Sequence, residues 1–237
     1  MVTWQYGKTA DRDLGLMEFK SILLTMKLAS ITTVLLLLTC IPLAWIMVCS
    51  SGKTKMIAKA VFNLPLILPP TVLGFYLVMA LNPSSPLGSF LERVFRINLL
   101  FTFSGLVVAS FISGFPFMIN SLMGAFQSVP RSLIEASASI GYSPFLTLIK
   151  TVLPNSISGI LAGVAISFAH TTGEFGVVYM IGGSIPGITR VLSVQIYHEV
   201  ELLNYSSAHK YAALMLVFSF VLMILISALQ KKTLIRS

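Results

Sequence analysis

Residues 125–154 read AFQSVPRSLIEASASIGYSPFLTLIKTVLP and are the most informative segment of this sequence. It is the longest polar-leaning part of an otherwise strongly apolar chain. Ser132 and Glu135 have the spacing of a capping box, which predicts a helix whose N-cap is Ser132 or Ser128. Gly141 supplies the residue type that commonly ends a helix in the left-handed conformation. We therefore expect one short helix that ends at this glycine.

A second short helix is predicted immediately after the glycine. Ser143 followed by Pro144 is an N-cap with proline at the first helical position. Apolar residues then recur at helical spacing, which predicts one apolar face: Phe145, Leu148, Ile149 and Val152. Two short helices held between membrane spans are typical of a segment that docks onto a partner.

The composition places this segment in a membrane protein. Of 237 residues, 56% are apolar and 10% are charged, with a mean hydropathy of +0.89. A helix of about 20 apolar residues crosses the hydrocarbon core of a bilayer, and such stretches are too long for barrel strands. The sequence predicts an all-α, polytopic integral membrane protein with about five spans, near residues 28–49, 60–82, 99–124, 155–181 and 211–230.

The loops between these spans predict a topology. With residues 125–154 in the cytoplasm, five spans put the N-terminus outside and the C-terminus inside the cell membrane. Residues 1–27 become an external segment, partly amphipathic over 14–26, and residues 231–237 a basic cytoplasmic tail. The sixteen Lys and Arg are only modestly biased towards the cytoplasmic loops. They are dispersed without a basic aromatic face, so the net charge of +8 does not indicate nucleic-acid binding.

The second predicted span contains three prolines within six residues. Pro65, Pro69 and Pro70 lie in a stretch that ends at Gly74. Proline removes a helical hydrogen bond, so this span must kink or break. Broken backbone at membrane depth requires surrounding protein or a watery cavity. The residues therefore either line a translocation pathway or form a purely structural kink.

The fourth predicted span ends in polar residues: Thr171, Thr172, Gly173, Glu174, Phe175 and Gly176. A carboxylate in the bilayer costs about 3 kcal/mol on insertion scales, so Glu174 should face protein or water. It belongs either to a gate or to a structural hydrogen-bonded site. His170 is interpreted as a packed polar residue. Arg190, in the loop that follows, would attract an anion, pair with Glu174 or simply lie at the surface.

The polar stretch resembles the EAA loop of ABC importer permeases. Glu135-Ala136-Ser137, Gly141 and Leu153-Pro154 have the spacing of that pattern. The chain departs from it twice, with Ser137 where the pattern has alanine and Thr151 where it has isoleucine. Over residues 19–196 the chain resembles molybdate ABC transporter permeases, through residues 66–74, 173–176 and 185–190.

This resemblance implies partners and roles. It implies a homodimer of this subunit, two cytoplasmic ATPase subunits that bind ATP and Mg²⁺, and an external oxyanion-binding protein. The chain itself would need no cofactor. The residues that the resemblance and the pattern assign to coupling with the ATPase are Arg131, Glu135, Ala136, Ser137, Gly141, Ser143, Pro144, Leu153 and Pro154.

Other functions are less well supported. A sulfate or thiosulfate permease shares the docking loop. A secondary transporter or channel needs a coupling-ion site or filter, and the spans contain few ionisable residues. An intramembrane enzyme needs a nucleophile with a base, or a metal motif, and the spans show neither. Residues 51–54, Ser-Gly-Lys-Thr, resemble the end of a Walker A loop, but Met47 stands where its first glycine belongs.

Overall fold

The computed structural model describes the backbone of residues 3–234 and the side chains of residues 19–224. Every regular element in this part of the chain is helical. The elements, in chain order, are α1 (Thr3–Cys49), α2 (Lys53–Ile67), α3 (Pro70–Leu81), α4 (Pro86–Phe95), α5 (Phe103–Gln127), α6 (Arg131–Ser139), α7 (Pro144–Thr147), a π-helical turn (Leu148–Val152), α8 (Leu153–Asn155), α9 (Ile157–Gly173), α10 (Gly176–Gly182), α11 (Leu192–Glu201) and α12 (Tyr205–Leu234). The all-α prediction is confirmed.

The sequence predicted about five spans, of which the second must kink or break. Within the described residues, three helices are long and apolar enough to cross a membrane: Phe19–Cys49, Phe103–Gln127 and Tyr205–Ile224. Two further spans exist only if each bent pair is counted as one. The first pair is α2 with α3, bent by 108°, and the second is Pro144–Asn155 with α9, bent by 80°. The span count in the described part of the chain is therefore three to five.

Two predicted span boundaries differ from the structure. The first span was expected to begin near residue 28 after a separate segment, but α1 runs without a break from Thr3 to Cys49. The fourth was expected to continue to residue 181, but α9 ends at Gly173 and α10 begins at Gly176. The structure describes side chains only from residue 19 onwards, so residues 14–18 of the predicted amphipathic stretch 14–26 lie outside this description. The end of the predicted basic tail, residues 235–237, also lies outside the described residues.

Two helices lie in loops where none was predicted. Helix α4 occupies the loop after the second predicted span; Ser85 is its N-cap and accepts a hydrogen bond from Gly88 N at 2.9 Å. Pro86 takes the first helical position. Helix α11 occupies the loop before the last span. The signal for α4 was present, because Ser85-Pro86 is the same pair that predicted the helix at Ser143-Pro144.

The chain divides into two compact units. The first comprises the described parts of 1–32, 69–110 and 171–217, and the second those of 33–68, 111–170 and 218–237. The core of the first unit consists of Leu28, Leu106, Val178, Val191 and Val194. Within it, the amide of Leu192 at the start of α11 donates to Thr25 Oγ1 on α1 at 2.8 Å. This bond anchors the loop after α10 to the first helix.

In the second unit, α9 packs closely against α5. A Cβ added at Gly159 would collide with Ala125, and one at Gly163 would lie 3.1 Å from Ser121 Cβ. Ser121 Oγ also donates to the carbonyl of Gly159 at 3.2 Å. The small residues Gly159 and Gly163, at four-residue spacing, therefore allow close helix packing here. Phe126, fully buried, lies in the surrounding core.

Candidate functional site

The predicted docking segment contains a helix, but the predicted cap is wrong. Helix α6 begins at Arg131 with Pro130 as its N-cap residue and no side-chain cap. Ser132 therefore lies inside the first turn, where it cannot act as the N-cap. The Ser128 hydroxyl instead donates to the carbonyl of Ala125 at 2.7 Å, at the end of α5. Pro130, whose φ is fixed by its ring, determines how the chain enters α6, and no side chain caps the helix.

Gly141 ends α6 as predicted. Its φ is +87°, in the left-handed region that favours glycine. The amides of Gly141 and Tyr142 donate to the carbonyls of Ala138 at 2.9 Å and Ser137 at 3.0 Å. These bonds satisfy carbonyls at the end of the helix. No atom lies within 4 Å of a Cβ built at Gly141, so its conformation, and not space, requires glycine.

The second helix starts as predicted but presents two faces. Ser143 Oγ accepts a hydrogen bond from Leu146 N at 3.3 Å, and Pro144 is the first residue of α7. Of the predicted apolar face, Leu148 and Val152 are buried in the core of the second unit. Phe145 is 70% exposed and Ile149 43% exposed. The prediction of a single face is wrong, because the four residues belong to two separate i, i+4 pairs and the π-helical turn alters the helical spacing.

The small residue at position 137 connects the two halves of the segment. Ser137 is buried, whereas the neighbouring Glu135 and Ala136 are exposed. Its Oγ donates to the carbonyl of Leu133 at 2.8 Å and lies 2.7 Å from Thr151 Oγ1. The structure therefore ties α6 to the π-helical turn through side chains and leaves the acidic residue accessible.

A cavity of about 540 Å³ lies beside α6 within the second unit. Both charged residues of α6, Arg131 and Glu135, line it, together with Lys55 from α2, whose Nζ donates to Ser50 O at 3.2 Å. The remaining lining residues are Trp45, Val48, Cys49, Phe126, Gln127, Val129 and Ile134. The sequence did not single out Trp45 or Lys55, although the loop containing Lys55 was predicted to be cytoplasmic.

The proline-rich second span breaks at Pro69 and Pro70. Pro65 is accommodated inside α2, which ends at Ile67, and Pro70 takes the first position of α3. In the first unit α3 packs against α10: a Cβ added at Gly74 would lie 2.9 Å from Met180 Cβ, and one at Gly176 would lie 2.7 Å from Pro70 Cβ. The structure thus brings Pro70 of the second span against Gly176, two residues after Glu174.

The residues around Glu174 form the break between α9 and α10. Thr171, Thr172 and Glu174 are buried, at 2%, 4% and 7% exposure. The hydroxyl of Ser193 on α11 donates to the backbone carbonyl of Glu174 at 2.7 Å. Phe175 packs against Tyr197, with ring centroids 4.8 Å apart. Two side chains of α11, Ser193 and Tyr197, therefore contact the break between α9 and α10.

Two other predicted polar residues have defined surroundings. The ring of His170 stacks on that of Phe117, with centroids 4.2 Å apart, which agrees with a packed residue. The guanidinium of Arg190 donates to the carbonyl of Ser184 from Nε at 3.2 Å and from Nη2 at 2.8 Å. Arg190 also lines a cavity of about 120 Å³ with Lys20, a residue that the sequence did not single out.

Comparison with known proteins places the chain in a family. A family model described as "Binding-protein-dependent transport system inner membrane component" matches residues 40–235. The chain is 42% identical over 206 residues to "Molybdenum transport system permease protein ModB" of Azotobacter vinelandii, covering 87% of this chain and 91% of that protein. It is 29% identical over 188 residues to "Probable sulfate transport system permease protein cysT" of Nephroselmis olivacea, covering 79% and 66%.

A solved structure shares the fold. A chain of the crystal structure of a bacterial ABC transporter involved in the import of the acidic polysaccharide alginate superposes with a TM-score of 0.77 at 15% identity. The match covers 91% of this chain and 79% of that chain. With the family match and the near-complete alignment to the Azotobacter protein, this protein belongs to the binding-protein-dependent transport system inner membrane components, the multi-pass permease subunits of ABC transporters.

Proposed function

We propose that this protein is the permease subunit of an ATP-driven importer that moves molybdate from an external binding protein into the cytoplasm. The observation that carries the proposal is the 42% identity to a molybdenum transport permease over 87% of the chain. The permease has no catalytic site for ATP hydrolysis. Separate cytoplasmic subunits bind ATP and Mg²⁺ and hydrolyse the nucleotide.

The docking segment supports the coupling role. Residues 131–154 carry exposed apolar side chains, with Ile140 at 73%, Phe145 at 70% and Ile149 at 43% exposure. Exposed apolar residues on short helices fit a helix-in-groove contact with a partner protein. Glu135 and Arg131 line the neighbouring cavity. We assign this surface to the ATPase subunit.

The broken backbone supports the pathway role. Pro70 and Gly74 on α3 lie against Gly176 and Met180 on α10, within the same unit as the buried Glu174. Interrupted helices at membrane depth are tolerated where they face protein or a water-filled path. We therefore assign α3, the α9–α10 break and Glu174 to the translocation path and its gate, which opens alternately to the two sides.

The complete transporter then contains several chains. We propose two copies of this subunit, two ATPase subunits and one external oxyanion receptor. The docking segment faces the cytoplasm, the N-terminus lies outside and the C-terminus inside. The weak excess of Lys and Arg in residues 50–59, 125–154 and 231–237 favours this orientation.

Reconstituted transport tests the proposal. The permease is co-purified with its ATPase partner, placed in liposomes and supplied with the receptor. We expect ATP-dependent uptake of radioactive molybdate that excess unlabelled sulfate does not suppress. Uptake of sulfate in preference to molybdate would favour the second candidate, which the 29% identity to a sulfate permease supports. Uptake without any ATPase would contradict both.

A further inference from the structure

A small cavity in the first unit carries positive charge. It has a volume of about 120 Å³ and lies between α1, the 184–190 loop and α11. Its lining residues are Lys20, Ser21, Pro186, Gly187, Arg190 and Gln195. Two cations from distant parts of the sequence, one on α1 and one before α11, thus meet at its wall. Among the described residues that line the cavity, none is an aspartate or a glutamate.

The position of Arg190 is fixed before any ligand arrives. Its Nε and Nη2 both donate to the carbonyl of Ser184. These bonds use two of the five N–H groups of a guanidinium. A planar guanidinium that is already held by the backbone loses little rotamer freedom on binding, and it suits oxyanions because its N–H groups form a fixed fork.

The loop that carries Arg190 is itself anchored. The carbonyl of Ile185 accepts hydrogen bonds from the amides of Ile188, Thr189 and Arg190, at 3.2, 3.0 and 3.0 Å. The buried Thr189 hydroxyl donates to the carbonyl of Gly182 at 2.7 Å. Gly187 allows the tight turn with a φ of +72°. The cation therefore sits on a rigid loop.

The nearest acidic group along α11 is already engaged. Glu199 is buried, and its two carboxylate oxygens accept hydrogen bonds from Gln195 Nε2 at 2.7 Å and from Asn204 Nδ2 at 2.9 Å. The amides of Gln195 and Asn204 therefore hold this carboxylate, which does not line the cavity. Lys20 and Arg190 supply the charge at the cavity wall.

We propose that this cavity is an anion-binding site at the entrance of the permease, where a tetrahedral oxyanion rests after leaving the receptor. The volume of about 120 Å³ is far above the roughly 10–15 Å³ that one water molecule needs, so the cavity has room for an ion larger than water. Lys20 and Arg190 attract the dianion and Ser21 adds a hydroxyl. The inference rests on the proposed function, because it assumes that this side faces the receptor and that the cargo is an oxyanion.

Charge-selective labelling tests the site in the assembled transporter. Pro186 is exposed and lines the cavity, so Pro186→Cys places a reporter thiol there. Both native cysteines are first replaced by Cys40→Ala and Cys49→Ser. The rate of modification by an anionic methanethiosulfonate is compared with that by a cationic one, in nanodiscs and without receptor. We expect the thiol to react with the anionic reagent roughly ten or more times faster than with the cationic one, because positively charged clefts concentrate anions.

Neutralisation and competition identify the ligand. Arg190→Gln and Lys20→Gln should each lower the anionic-to-cationic rate ratio several-fold, and molybdate or sulfate should slow labelling. Lys27→Gln is the matched control, because Lys27 lies on the same helix, about two turns from Lys20, over the ring of Phe103 at 4.8 Å and outside the cavity. It should leave the ratio unchanged.

Three results would overturn the inference. The first is a fall in the anionic-to-cationic rate ratio of Lys27→Gln that equals the fall in Lys20→Gln and Arg190→Gln. The second is labelling that neither oxyanion slows. The third is protection by phosphatidylglycerol in the nanodisc and not by oxyanion, which would assign the cavity to a lipid headgroup. If ATP-dependent molybdate uptake persists in any of these cases, only the entrance site fails. If uptake is absent while oxyanions still protect the reporter thiol, the proposed transport function is contradicted, whereas the proposed anion-binding site is supported.

Discussion

Ser137 and Thr151 are joined by a hydrogen bond, with 2.7 Å between their hydroxyl oxygens. These are the two positions at which the docking segment departs from the family pattern. Ser137 donates its only hydroxyl hydrogen to the carbonyl of Leu133, so Thr151 is the donor to Ser137. The two departures therefore compensate each other: a polar pair replaces the apolar contact that alanine and isoleucine would make.

A double-mutant cycle tests this pairing. Ser137→Ala leaves the Thr151 hydroxyl without this acceptor, and Thr151→Ile leaves Ser137 without this donor. Each single change should lower the free energy of unfolding by about 1 kcal/mol, and the double change should recover part of the loss, with a coupling of about 0.5–1.5 kcal/mol. Unfolding by sodium dodecyl sulfate in mixed micelles measures the effect. Strictly additive losses would show that the bond contributes nothing.

Gly141 is expected to be essential for coupling through its conformation. Its φ of +87° strains most L-residues by about 1–2 kcal/mol, although no neighbour obstructs a side chain. Gly141→Val should therefore displace Ser143 and α7 and lower the number of ions transported per ATP hydrolysed. Gly141→Asn is the control, because asparagine tolerates the left-handed region, and it should retain most coupling. Equal coupling in both variants would contradict the explanation.

Gly176 and Gly173 form a matched pair on either side of Glu174. Gly176→Ala places a methyl group 2.7 Å from Pro70 Cβ and should destabilise the permease by about 1–3 kcal/mol through overpacking of α3 against α10. Gly173→Ala should be tolerated, since its Cβ would lie 3.8 Å from Met215 Cε, an ordinary contact. Thermal unfolding of the purified complex compares the two. A larger loss for Gly173→Ala would refute this packing argument.

Glu174→Gln should change the rate of transport without preventing assembly. The side chain is buried, and glutamine retains its size while it removes the charge that we assign to the gate. We expect a several-fold change in molybdate uptake at normal co-purification with the ATPase. Glu199→Gln is the comparison variant for the uptake rate. It makes the same substitution at an acid that is similarly buried, accepts a hydrogen bond from Gln195 and lies in the same unit. An unchanged uptake rate in Glu174→Gln would leave this acid a structural role only.

The orientation can be measured by thiol labelling. Cys49 is exposed and Cys40 buried, so both are replaced before a reporter is introduced. Ser143→Cys lies at the start of α7 and should react with an impermeant maleimide only after the cells are opened. Arg96→Cys, after α4, should react in intact cells. The reverse pattern would invert the proposed topology.

Local signals in the sequence predicted local structure well. Gly141 and Ser143-Pro144 were recognised because a left-handed stop and an N-cap with proline involve only neighbouring residues. The same reasoning failed at Ser132, since Pro130 already determines how the chain enters α6. It also overlooked α4, whose Ser85-Pro86 signal lay in a segment treated only as a loop.

Contacts between distant residues were beyond sequence reasoning. The break after Gly173 depends on the approach of Gly176 to Pro70 and on the bond from Ser193 to the Glu174 carbonyl. The meeting of Lys20 with Arg190 depends on how α1 and α11 pack. Hydropathy predicted that residues 155–181 were apolar enough for a span, but it carries no information about which backbone they touch.

The π-helical turn at Leu148–Val152 has a consequence for how insertions and deletions would act. A wider turn accommodates one more residue than an α-helix does, so removing a single residue there would restore regular winding. Exposed Phe145 and the rest of α7 would then keep nearly their present orientation, because the wide turn already absorbs the additional residue. A one-residue deletion at Ile149 should therefore leave the orientation of the surface that we assign to the ATPase subunit nearly unchanged, although it removes one exposed apolar side chain from that surface.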